Sequence, residues 1–200
     1  MLGDRNDGGP PKGRGACGGW PAGAVTRETF EWWRSEVESN QDKIIVTCAH
    51  HVLRDTTVAS GRWEDVRSGY RGRFDDAEGA SYLYWVGDEV DSEAFQAYLQ
   101  AHPSCIDLWL GGHTHTYPDD VVNGRSHVER RWGTNFINCA QLSKYHSFVT
   151  CPPMSRYFTF TVGSRLVRVQ CYLHDDSVAP QGWYARSERV IEIGKPFAMA

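Results

Sequence analysis

The sequence predicts a layered α/β domain in which sheets pack between helices, and three observations support it. Amphipathic helical segments alternate with short apolar runs in the first half of the chain. The second half is a succession of alternating strand-like runs and turns, "NFINC", "RYFTFTV" and "LVRVQCYL". Two hundred residues with 40% hydrophobic content suffice for one core and are marginal for two. The mixture is that of helices covering sheets.

The first 25 residues are glycine-rich and carry Pro10, Pro11 and Pro21, a composition that predicts a loop. Thr26 then stands as an N-cap before "RETFEWWRSEVESN", where Phe30, Trp33 and Val37 recur at helical spacing. "KIIVT" follows as a buried strand. Residues 58 to 80 are polar and aperiodic, a surface excursion, and "SYLYWV" after them reads as a strand. Asp91 is placed to cap a second helix, "SEAFQAYLQA", with Phe95, Tyr98 and Leu99 inward and the His102–Pro103 dipeptide ending it. "IDLWL" is the next buried strand, a "GS" turn separates two later strands, and "ERVIEI" is the last. Residues 174–200 read as a C-terminal extension to a single domain over 1–200.

Acidic and basic residues are scattered and the formal net charge is −4, so no electrostatic footprint for nucleic acid or an anionic membrane is visible. Apolar runs are too short for a transmembrane segment and the N-terminus has no signal-peptide pattern, so the chain is expected to be soluble. Six cysteines lack a C-x-x-C pair and read mainly as reduced structural thiols. The tryptophans, Trp32, Trp33, Trp63 and Trp109 among them, read as packing residues rather than as a carbohydrate platform.

Two strands end in histidines. "KIIVT" runs into "CAHHVL" with His50 and His51, and "IDLWLGG" runs into "HTH" with His113 and His115. Strand ends are where α/β folds gather side chains into one crevice. In extended backbone, residues two apart face the same way, so His113 and His115 can share a site, with Gly111 and Gly112 relieving bulk beside it. Imidazole is the commonest metal ligand near neutral pH, and this arrangement predicts a metal pocket. Asp55, Asp119 and Asp120 fall near it and read as solvated loop carboxylates. Arg54 and Arg125 are candidate phosphate contacts with surface arginine as the alternative. His127 and His146 lie on loops, and His102 and His174 look incidental.

"GGHTH" after an apolar strand, with "IIVTCAHH" some sixty residues earlier and "GTNFINCAQLS" later, resembles the last metal-binding motifs of the calcineurin-like metallophosphoesterases. The resemblance spans about residues 26 to 173. It implies part of a four-layer α/β/β/α sandwich with mixed sheets, acting on a phosphoester through two divalent metal ions, of Mn, Fe or Zn type, and an activated water. It also implies that His50 and His113 bind one metal and His115 the other, with His51 a neighbouring alternative to His50. No catalytic side chain beyond the ligands is implied, and no substrate-binding residue is assigned.

The family's earlier motifs are D-x-H, G-D-x-x-D and G-N-H-[DE]. No D-x-H precedes His50 and no N-H dipeptide occurs. "GDRND" matches G-D-x-x-D by letter, leaving Asp4 and Asp7 as open ligand candidates, but it lies too close to His50 to leave room for the asparagine motif. It reads better as the end of a strand in the C-terminal part of such a domain, truncated before Met1. Three histidines without a bridging carboxylate hold at most a weak mononuclear site, because two adjacent cations repel unless anionic ligands offset them. The expectation is an incomplete phosphoesterase with little activity alone; the alternative is an inactive remnant or binding module. An unpaired sheet edge predicts self-association.

Overall fold

A computed structural model describes residues 2, 25–61, 92–114, 116–140, 142 and 152–199. The expected strand "SYLYWV", the cap Asp91, the "GDRND" segment and most of the excursion after residue 61 lie outside these. Helix α1 (Arg27–Ser39) begins where Thr26 was expected to cap it: the Thr26 side chain accepts a hydrogen bond from the Thr29 backbone N–H at 3.2 Å. It is followed by β1 (Val46–Cys48), α2 (Ser92–Ala101), β2 (Leu108–Gly111), β3 (Val128–Arg131) and β4 (Thr134–Asn138). Strands β5 (Met154–Phe160), β6 (Leu166–Leu173), β7 (Gly182–Trp183) and β8 (Arg189–Glu192) complete the chain.

The first sheet has the order β1-β2-β4-β3, with β1, β2 and β4 parallel and β3 antiparallel to β4. The second is antiparallel: β5 lies along one edge of β6, and β7 and β8 share the other. The segment expected as a C-terminal extension therefore contributes β8 to this sheet. Strand β3 was not anticipated, because "VERR" has no apolar alternation. It is imposed by the Trp132–Gly133 turn, where both residues adopt positive φ of 50° and 75°.

Side-chain alternation sorts the first sheet between two cores. Trp109 and Phe136 face α1 and α2, where Phe30, Trp33, Val37, Phe95 and Leu99 meet them. Trp33 centres this layer, with ring centroids 5.0 Å from Phe95 and 6.2 Å from Trp109, and its indole N–H donates to Thr47 Oγ1 at 2.9 Å. Leu108 and Ile137 face the other way, onto Val167, Val169, Ile191 and Ile193. A helix layer and two stacked sheets result. Among the described residues no helix covers the outer face of the second sheet, where Tyr157, Trp183 and Val190 are exposed.

Two buried polar side chains tie the sheets together. Asp107 accepts from Ile45 N at 2.9 Å and from Gly194 N at 2.6 Å, and Asn135 Nδ2 donates to Glu192 O at 2.9 Å. At the other margin, Leu2 N donates to Cys48 O at 2.7 Å, so Leu2 lies beside β1. Val46 and Trp32 are exposed along that margin. Among the described residues no helix is long and apolar enough to cross a membrane.

Candidate metal centre

The parallel strands β1 and β2 are neighbours in register, Cys48 opposite Leu110, so the chain leaves both at one edge. The ladder continues past the strand ends: Ala49 N donates to Leu110 O at 3.0 Å, Gly112 N to His50 O at 2.9 Å, and Cys139 N to Gly111 O at 2.7 Å. These bonds hold the His50–His51 loop against the glycine pair. A Cβ on Gly111 would stand 2.6 Å from Val52 Cγ1 and 3.1 Å from the His51 carbonyl, and one on Gly112 would stand 3.0 Å from Ala140 O. Close approach, rather than an unusual backbone angle, is what requires glycine here.

The turn itself falls on His113, which adopts φ +72°. The expectation that His113 and His115 lie in extended backbone therefore does not hold at His113. His115 lies outside the described residues, as does His146. What the turn achieves is to bring His113 onto both histidines of the preceding loop. His50 Nε2 and His113 Nδ1 are 3.0 Å apart, and the His113 ring lies 4.9 Å from that of His50 and 4.2 Å from that of His51. One ligand nitrogen from each of the three falls within 4.8 Å of the others. His51 is buried, His113 half-buried and His50 exposed, so the group opens to solvent on one side.

Three imidazoles at this spacing suit a divalent ion. Tetrahedral binding at Zn–N distances of about 2.0–2.1 Å separates ligand nitrogens by roughly 3.3 Å, close to the His50–His113 spacing. Neutral imidazole is a borderline donor suited to Zn, Fe and related ions. No carboxylate joins the group among the described residues.

The turn is supported from behind by Asn138, which is fully buried at the end of β4. Its amide donates to Thr114 Oγ1 at 2.6 Å and to Thr57 Oγ1 at 3.2 Å, while its oxygen accepts from Ala140 N at 2.8 Å. One side chain thus links the loop carrying His113, the loop after His51 and the Ala140 turn. Sequence reasoning missed Asn138, and it gave His51 as an alternative to His50 where the structure brings both to His113. An asparagine inside "NFINC" was a usable signal, since a polar residue in an otherwise apolar strand must find partners.

The remaining candidates are engaged elsewhere. Arg125 pairs with Asp55 at 3.4 Å, Arg54 with Glu93, and Asp119 with Arg186 at 2.8 Å; Asp120 accepts from Tyr117 N at 2.9 Å. His127 is buried at the start of β3, hydrogen-bonded to Thr116 Oγ1 at 2.8 Å, and burial holds its pKa well below the usual histidine value. His102 stacks on Tyr98, and His174 contacts Ser155. Cys48, Cys105, Cys139 and Cys171 are free thiols. Trp33 and Trp109 are core residues.

No known protein family matches the chain, and no curated protein does. Among solved structures, a single mutant of Vps29 from Entamoeba histolytica aligns over 76% of this chain and 99% of its own, at 13% identity and a TM-score of 0.28. That likeness is too low to bear on fold or function.

Proposed function

We propose that the chain is a metal-dependent phosphoester hydrolase module built on a calcineurin-like sandwich, with His50, His51 and His113 holding one divalent ion. His115 is the proposed ligand to a second ion. The observation that carries this reading is the meeting of three imidazoles at the adjacent ends of parallel β1 and β2. A bound divalent ion supplies charge for phosphate oxygens and acidifies its water. The protein's own part is geometric: His51 anchors the site from the buried side, His113 is fixed by its turn, and His50 closes the solvent side. The motif order "CAHH" then "GGHTH" makes a phosphoester the favoured substrate.

A second reading is favoured by the absence of a carboxylate from the cluster among the described residues. On it the fold is kept as a binding module with one ion or none, and the exposed margin at Val46 and Trp32 offers a surface for self-association.

Metal content of the purified chain, measured by elemental analysis alongside phosphate release from p-nitrophenyl phosphate with Mn, Fe or Zn, separates the two. The hydrolase reading expects bound metal and weak turnover, both lost in His113→Ala and His51→Ala. Bound metal without turnover supports the binding module, and unchanged metal content in both variants removes the site altogether.

A further inference from the structure

Arg156 is a charged group that the proposed hydrolase site does not use. It lies on β5 opposite Cys171 of β6, and Tyr184 N donates to Cys171 O at 2.8 Å, so Arg156, Cys171 and Tyr184 form one row across the second sheet. Met154 and Phe158, which share its side of the strand, both pack into core clusters. Arg156 therefore points between the sheets. All three guanidinium nitrogens, Nε, Nη1 and Nη2, are buried without a hydrogen-bond partner among the described residues. No carboxylate pairs with it among the described residues.

A guanidinium has five N–H donors and keeps its proton at any physiological pH. Leaving those donors unmet in a core is among the costliest arrangements a protein interior can hold. The neighbours do not relieve it. Burial holds the thiols of Cys139 and Cys171 protonated by raising their pKa, so neither supplies a counter-charge. Arg189 adds to the positive field at Arg156, and burial together with the two arginines keeps His127 a neutral ring that supplies no counter-charge either.

We propose that Arg156 is the receptor for a small oxyanion, phosphate or sulfate, held between the two sheets beside Cys139 and Cys171. The planar fork of the guanidinium matches two oxygens of such an ion, and the charge that is otherwise uncompensated becomes paired. The site is distinct from the three histidines and needs no metal.

Thermal unfolding of the full chain, stripped of metal by chelator, tests this in inorganic phosphate against chloride at equal ionic strength. Phosphate raises the wild-type Tm by roughly 5–10 °C at about 100 times its Kd, and chloride does not. Arg156→Met, which keeps the length and removes the charge, shows no phosphate-specific rise and melts at or above wild type in phosphate-free buffer. Arg156→Lys keeps a reduced rise. Equal shifts in chloride and phosphate, or a phosphate rise surviving in Arg156→Met, overturn the proposal. So does an Arg156→Met chain that melts well below wild type without phosphate or fails to fold, since the charge would then be compensated already. Because the histidines are empty throughout, failure here leaves the hydrolase reading untouched, and the metal assay leaves this one untouched.

Discussion

His113 bends the backbone at φ +72°, a region few side chains adopt and histidine tolerates better than most. The glycines before it serve a different need, which makes them separable by mutation. Gly111→Ala drives a methyl into Val52 and the His51 carbonyl. The expected result is a loss of about 1–3 kcal/mol in urea unfolding, together with weaker metal binding, because His51 must move. His127 offers a second test. Burial holds its folded pKa below the usual histidine value of about 6.5, so below that pH the unfolded chain binds a proton that the folded chain refuses. Stability is therefore complete above about pH 6.5 and declines as the pH falls toward the folded pKa. His127→Gln should flatten the dependence of Tm on pH between roughly pH 5 and 7.5, above the range where Glu188, held low by Arg168, contributes. A wild-type Tm that does not fall across that window would show that His127 is not buried as a neutral ring. Residue by residue, the meeting of His50, His51 and His113 was legible because each follows the end of a buried strand, although the turn at His113 was not. Asp107, Asn138 and Arg156 were not, because a lone polar residue in an apolar run says only that it needs partners, not where they come from.

Helix α1 was fully readable: an N-cap threonine, then apolar residues at helical spacing, and the structure places Phe30, Trp33 and Val37 in the core. Thr26→Ala removes the acceptor for Thr29 N and is expected to cost about 1 kcal/mol, read as a lower urea midpoint at unchanged slope. Strands β6 and β8 fall within the runs that predicted them, and β1, β2, β4 and β5 overlap theirs with shifted ends. The elements that escaped are β3 and β7, short and polar or only two residues long, which exist because a neighbouring strand and a turn place them there. Tertiary context decides such elements, and single-sequence periodicity does not contain it.

Across the molecule, the two sheets are joined by apolar contacts and by a few buried polar bridges. Asp107 is the clearest, since its two oxygens satisfy backbone N–H groups at Ile45 and Gly194, and Lys195 Nζ approaches to 4.0 Å. Asp107→Ala leaves both donors unmet, each worth about 1–3 kcal/mol when buried. Differential loss should show as faster proteolysis after Gly194 and a lowered Tm. Sheet order and the pairing of β8 onto β6 could not be read from sequence, because strand neighbours are chosen by three-dimensional packing. The α/β class could, because each layer leaves its own period in the chain.

The histidine centre joins positions 63 residues apart, whereas β5 and β6 meet through a turn of five residues, 161–165. Closing the longer loop costs more chain entropy, and parallel pairing is slow for that reason. Loop closure alone therefore predicts that the hairpin forms early and the centre late, after β1 has found β2. An ion that binds these imidazoles then acts as a latch on a finished fold: it slows unfolding strongly and leaves the folding rate almost unchanged.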